Sequence, residues 1–263
     1  MSALRASMTD ARRLQPGKAL ATAVRGLPHL WAGGWPGLVL LGLMIPLGRW
    51  AAGSTAAATL VHAMGAVLTL AVWTGLTAVA LDRDPPAGGV ALGVRLLRVV
   101  AAAVLNLIFL AMIAVVLALV SLAIFGMSGL DLEAIQARDW ARVGPLWQMV
   151  ALGAVALIVL VVPLLLIVRL SLFVQATVGR GQVVSLNTMG VAQGSFWPLM
   201  GLFLILAVPP LALLGWAGAN GLIGLALAGL IALWLPLSAG ALAAAYGQLE
   251  YWTPDFSRHL GGG

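Results

Sequence analysis

The sequence predicts an all-α membrane protein with six transmembrane helices. Three observations carry that class: 62% of the 263 residues are apolar, mean hydropathy is +1.07, and only 14 basic and 8 acidic residues are present. Soluble domains are about 45–50% apolar and about one quarter charged, so a water-soluble enzyme of this length is excluded, as is a disordered chain. Cysteine is absent, which excludes a disulfide framework, a thiolate metal site and a redox pair. The bias toward Arg, Ala, Leu, Val and Gly suits a GC-rich bacterial genome and points to no mechanism.

Residues 1–33 read as a cytoplasmic N-terminal segment with an amphipathic stretch. Arg5, Arg12, Arg13, Lys18 and Arg25 precede any long apolar run. A cleavable secretory signal has its apolar core much earlier. An Arg-bearing segment with Asp10 as its one acid has features of a mitochondrial transit peptide, but the same description fits many bacterial cytoplasmic leaders, and that reading is preferred. Ser2 follows Met1 and no Cys is available, so no lipidation motif is expected.

Crossing about 30 Å of hydrocarbon takes about 20 apolar residues in a helix. Such runs fall at 34–50, 55–81, 99–125, 148–171, 198–217 and 221–246, giving a bundle over 34–246 and a short cytoplasmic tail over 247–263. The first run is short and contains Pro46; the second is long enough to tilt. Lys and Arg are retained on the cytoplasmic side of short loops. With the N-terminus inside, 11 basic residues fall inside and 3 outside (Arg49, Arg138 and Arg142), so both termini are expected in the cytoplasm of a bacterium and the protein in its inner membrane. Tryptophan favours the headgroup level, and Trp35, Trp50, Trp147, Trp197, Trp216 and Trp252 all fall at expected span ends. Trp73 and Trp234 lie within spans and read as packing.

Each odd-numbered span follows an amphipathic stretch: Lys18–Trp31, interrupted at Pro28, then Val90–Val100, then Gln182–Gly194. Such stretches can lie as helices in the membrane interface. Trp35-Pro36 aligns with Trp197-Pro198, and Pro is well placed where a helix starts. Two readings stay open: three parallel repeats of an interfacial helix plus a two-span hairpin, or a common look of cytoplasmic span ends.

The stretch Arg169–Leu204 joins a span ending Arg-Leu-Ser-Leu to a polar segment, then Gly194-Ser-Phe-Trp and the next span. With the ending Ala-Ala-Ala-Tyr-Gly-Gln-Leu-Glu at 243–250, it resembles the membrane domain fused to some bacterial glycerophosphodiester phosphodiesterases and its stand-alone YciC-like six-span relatives. The resemblance implies a six-span fold. It does not imply phosphodiesterase activity, which belongs to a separate soluble domain of that family.

Chemistry-bearing residues are sparse. His29, His62 and His259 form no ligand pair, so no metal site and no cofactor are expected. His62 lies inside a span, where an ionisable group is a functional candidate by default; Asn106 and Ser121 are candidate partners across a helix interface. Asp82 and Asp84 flank Arg83 in the D-x-D form that can hold a divalent cation, but before Pro85-Pro86 they read better as a charged stop after span two. Arg169 and Glu250 stand at the inner ends of spans four and six: Arg169 anchors to headgroups, and Glu250 pairs with it or with a loop Arg. Pro163, Pro209, Pro210 and Pro236 interrupt three spans, either as packing kinks or by freeing carbonyls along a substrate path. Small residues of span six, Gly221, Gly224, Ala228, Gly240, Ala244 and Gly247, permit close helix contact within the bundle or with a partner.

The expected function is that of a non-enzymatic accessory or scaffold protein. Its expected partners are membrane lipids and a membrane protein or second copy, with no nucleic acid. The alternatives are a carrier of a lipid or small apolar solute, with its path among spans four to six, and a membrane enzyme using Asp82 and Asp84 on a lipid headgroup.

Overall fold

The computed structural model describes residues 13–81, 89–129, 131–138, 144–186, 188–192 and 194–250. Among them every regular element is helical, and six helices are long and apolar enough to cross a membrane. In chain order they are α1 (Pro16–Ala51), α2 (Thr55–Ala80), α3 (Gly89–Met127), the short α4 (Leu132–Gln136), α5 (Leu146–Leu170), α6 (Phe173–Arg180) and the single turn α7 (Thr188–Val191). There follow α8 (Phe196–Ala219), α9 (Ile223–Gly229), a π-helical segment Leu230–Trp234, and α10 (Leu235–Leu249). The last three form the sixth span.

Spans two, four, five and six end within three residues of their expected limits. Spans one and three do not: they begin at Pro16 and Gly89, because the amphipathic stretches ahead of them are continuous with the spans. Helix α1 passes through Pro28, Pro36 and Pro46 without a break, and its 36 residues extend roughly 54 Å, well beyond the hydrocarbon thickness. Its early turns have a protein neighbour. Ala19, Ala23 and Leu30 are buried, and a Cβ on Gly240 of α10 would stand 2.9 Å from Leu30 and 3.3 Å from Ala23. Small side chains let the two helices close up, so this stretch packs on α10 and is no separate interfacial helix.

The third stretch departs further. Over 182–194 the described residues form a loop with the one turn α7, and Val184, Thr188, Val191 and Ala192 are buried. Trp35-Pro36 lies in the middle of α1, whereas Trp197-Pro198 sits in the first turn of α8, so the helix-start logic for Pro holds at Pro198 alone.

The chain divides into two compact units. One holds the described residues up to Ala103 and from Arg169 onward; the other is Val104–Val168. In the first, α1 packs on both α2 and α10. Gly33, Gly34 and Gly37 face Val79, Leu76 and Val72, and Leu30, Val72, Leu76 and Ala239 form the core. A second cluster of Ala78, Val99, Val174 and Val178 joins α2, the start of α3 and α6. In the other unit, Leu107, Leu119, Leu122 and Leu160 are exposed, as suits side chains in contact with hydrocarbon. There Asp131 starts α4 by accepting from the backbone N–H of Glu133 and Ala134, at 2.9 and 3.1 Å.

The glycine contacts predict an asymmetry. A Cβ at Gly33 or Gly37 would stand 2.9 Å from Val79 or Val72, and branched side chains have little room to retreat. Gly37→Val is expected to destabilise by about 1–3 kcal/mol. Gly65→Ala, with open space around it, should be neutral or stabilising. Thermal unfolding of the purified protein in detergent measures both; equal losses at the two positions would reject the packing.

Candidate functional site

The densest polar assembly gathers where α6, α10 and the start of α3 end. One residue before its terminus, α6 has Gly179, where a Cβ would come within 2.7 Å of the Tyr246 ring. Glycine therefore lets α6 press against α10. Arg180 then reaches Glu250 with two parallel bonds, Nε to Oε2 and Nη2 to Oε1, each 3.0 Å. The bidentate geometry is the strongest form of this pair. The Tyr246 hydroxyl, one helical turn before Glu250, donates to the same carboxylate. The pair is largely withdrawn from solvent, with side-chain exposures of 7% for Arg180 and 14% for Glu250.

Helix α6 ends on Gly181 in the left-handed region at φ +66°, which favours glycine, and the Gly181 carbonyl accepts a 2.5 Å bond from Arg98 Nη1 of α3. The chain then turns back: Thr177 Oγ1 donates to the Val184 carbonyl at 3.2 Å and accepts from the Val184 N–H at 3.3 Å. Two further bonds fix the start of α1, Leu14 N–H to Ser195 Oγ at 3.2 Å and Gln15 N–H to Gln248 Oε1 at 2.8 Å. Arg95, Arg98, Thr177, Arg180 and Gly181 line a concavity of about 270 Å³ beside this assembly.

Of the sequence candidates, only Glu250 belongs here, and its partner is Arg180 of α6. Arg169 stands elsewhere, with its guanidinium 5.7 Å from the centre of the Phe196 ring, a cation–π contact. His62 is exposed, and its Nδ1 lies 2.6 Å from the carbonyl of Ala58 on its own helix. Ser121 likewise donates to its own Leu117 carbonyl at 2.6 Å, while Asn106 is buried. Asp82 and Asp84 lie outside the described residues. Among the described residues no three of His, Asp and Glu gather as metal ligands do. Sequence reasoning missed Tyr246, although Tyr246 and Glu250 at i and i+4 share one helix face. It left the partner of Glu250 open between Arg169 and a loop Arg, and the structure places Arg180 there, between Gly179 and Gly181.

Pro163, Pro209 and Pro210 lie inside unbroken helices; only Pro236 adjoins an irregular segment, the π-helical turn before it. Proline lacks the N–H that an α-helix pairs with the carbonyl four residues earlier. For Pro210 that carbonyl is Leu206, and it accepts the Trp234 Nε1 proton at 2.8 Å. For Pro236 it is Ala232, and it accepts the Trp31 Nε1 proton at 2.7 Å. Two freed carbonyls are thus capped by indoles from neighbouring helices, and neither is offered to a path.

Beside these bonds is an apolar cavity of about 430 Å³, with Trp73, Phe203, Leu206, Pro210, Ile231 and Trp234 among its walls. Its two hydroxyls turn inward on their own helices: Thr69 donates to Gly65 at 2.7 Å and Ser238 to Trp234 at 2.7 Å.

Six apolar spans joined in one chain define a polytopic α-helical membrane protein. No protein-family profile, curated protein or solved structure matches the chain.

Two predictions follow from the geometry. Trp31→Phe removes the donor to Ala232 and should destabilise by about 1–2 kcal/mol, whereas in a Pro236→Ala background, where the backbone supplies its own donor, the same change should have a much smaller effect. Unfolding of the four proteins in detergent gives the coupling directly, and additive losses would show that the indole does not serve the proline. Glu250→Ala leaves Arg180 withdrawn from water without its carboxylate and should destabilise by about 3 kcal/mol; Arg180→Met with Glu250→Met should be milder than Glu250→Ala alone.

Proposed function

We propose that the protein is a non-enzymatic accessory or scaffold protein of the bacterial inner membrane, with both termini in the cytoplasm, and that it engages membrane lipids, alone or as part of a membrane complex. The orientation rests on the distribution of 11 basic residues against 3. The lipid engagement rests on the apolar cavity. Its volume of about 430 Å³ falls in the range of ligand sites, yet its hydroxyls are satisfied by their own helices and the Leu206 carbonyl in its wall is capped by Trp234. A cavity within a membrane span whose hydroxyls and Leu206 carbonyl are already engaged suits a hydrocarbon chain. The resemblance of Arg169–Leu204 and 243–250 to the six-span bacterial family implies a fold and no particular role.

A carrier of a lipid or small apolar solute is the second reading, favoured by the position of Pro210 and the π-helical residues Leu230, Ile231 and Trp234 in the cavity wall. Substrate flux into liposomes that survives Pro209→Ala with Pro210→Ala would remove it.

Native mass spectrometry of the protein, gently extracted from its own membrane, tests the main reading. We expect a retained phospholipid, with or without a stoichiometric protein partner, and a weaker lipid adduct in Ala207→Phe, which fills the cavity from its wall. A lipid-free protein in the wild type, or an unchanged adduct in the variant, would count against the cavity as the lipid site.

A further inference from the structure

We infer that the apolar cavity is a slot for an extended acyl chain lying along the sixth span, and that the protein therefore selects a lipid by the length of its chain and not by its headgroup; this deepens the lipid-engaging reading and rests on it. The wall that the sixth span contributes runs from Leu227 to Leu242, about 22 Å of helix. A volume of about 430 Å³ spread over that length averages about 5 Å in width. The cavity is long and narrow. A helix, about 10–12 Å across with its side chains, does not enter it, whereas a hydrocarbon chain, one carbon wide, does.

The walls narrow the occupant further. Trp73, Phe203 and Trp234 contribute rings, and the Thr69 and Ser238 hydroxyls and the Leu206 carbonyl are engaged within the protein. An apolar cavity of this kind stays dry and takes apolar guests. A polar solute would give up its hydration there with little in return.

Depth separates the chain from the headgroup. On the side of the polar assembly the nearest wall residues are Trp73 of α2, Phe203 of α8 and Leu242 of α10, each seven residues from the helix end at that level, Ala80, Phe196 and Leu249. Three helices thus agree on a depth of about 10 Å. From the opposite end the nearest is Leu227, four residues or about 6 Å from Ile223. A headgroup held at either surface touches no part of this wall. With C–C bonds of about 1.52 Å an extended chain advances about 1.3 Å per carbon, so about five to eight carbons are used before the cavity is reached. An eight-carbon chain barely enters, whereas a sixteen-carbon chain places about half its length or more inside.

The test is native mass spectrometry of the full-length protein in detergent, titrated with phosphatidylcholines of eight-, twelve- and sixteen-carbon chains and with sixteen-carbon phosphatidylglycerol and phosphatidylethanolamine. A methylene that passes from one apolar surrounding to another gains packing alone, so the expected preference for sixteen over eight carbons is about fivefold, and among the three headgroups less than about twofold. Ala207→Phe, which fills the cavity from its wall, should flatten the dependence on chain length. A second measurement does not depend on a variant. Phosphatidylcholine with a diazirine at the chain terminus should label Ile231 and Trp234 of the wild type on illumination, and the same lipid with the diazirine beside the ester should not. In Ala207→Phe the terminal probe should lose those labels and keep its labelling around Met112 and Leu160, which are exposed in the middle of other spans. Equal retention at all chain lengths, or a chain-length dependence unchanged in Ala207→Phe with Ile231 and Trp234 still labelled, overturns the inference. Retention that follows headgroup and not chain overturns it while leaving the lipid-engaging role standing. If no lipid is retained and neither probe labels the wall, the lipid-engaging reading fails and this inference with it.

Discussion

A backbone carbonyl in hydrocarbon has no water to turn to, and this constraint organises the first unit more than any side-chain contact. Eight prolines lie within its described helices: Pro16 at the start of α1, Pro28, Pro36 and Pro46 further along it, Pro209 and Pro210 in α8, Pro236 in α10, and Pro198 in the first turn of α8. At Pro198 the missing N–H is harmless, because a first-turn donor has no intrahelical partner. At Pro210 and Pro236 the solution comes from another helix. The indoles of Trp234 and Trp31 deliver their N–H groups to Leu206 and Ala232, so α8 is tied to the π-helical segment and that segment to α1. A local helix defect thereby becomes a tertiary bond. The π-helical turn belongs to the same adjustment, since it shifts the hydrogen-bond register just before the residue that cannot donate.

The polar assembly at the other end of α10 obeys the same economy of donors and acceptors. Tyr246, Gln248 and Glu250 each bond to a partner on a different part of the chain or across one turn: Tyr246 and Glu250 converge with Arg180, and Gln248 holds the start of α1. Ser195 adds the bond to Leu14. Together these bonds fasten α1, α6, α8 and α10 at one level.

Most of the architecture was legible in the sequence because a long apolar run has few alternatives to a membrane helix. The limits of α2, α5 and α8 follow from polar or Gly-rich turns at both ends. The start of α1 was not legible in this way. Lys18, Arg25 and Pro28 make Lys18–Trp31 look like a surface stretch, and only the spacing of Ala19 and Ala23, a small-residue face for Gly240, signals a helix that has a neighbour. Pairings between helices are harder still. Trp234 read as packing because its ring is apolar; that its N–H meets Leu206 depends on which helices adjoin, and periodicity within one helix carries no such information. For the same reason Glu250 was recognised as a paired charge while its partner was left between Arg169 and a loop arginine.

The two recesses of the first unit differ in the kind of surface they offer, and the difference has one origin. Around Trp73 and Trp234 the Thr69 and Ser238 hydroxyls and the Leu206 carbonyl are satisfied internally, so the wall offers chiefly dispersion and hydrophobic contact. Around Arg98 and Arg180 the wall is polar, and its groups are bonded into the fold: Arg98 to the Gly181 carbonyl, Arg180 to Glu250, and Tyr246 to that same carboxylate. One recess therefore offers a hydrocarbon-like surface and the other fixed charge, and in both the hydrogen-bonding groups serve first to hold helices together. At the polar recess those bonds are what keep α6 against α10.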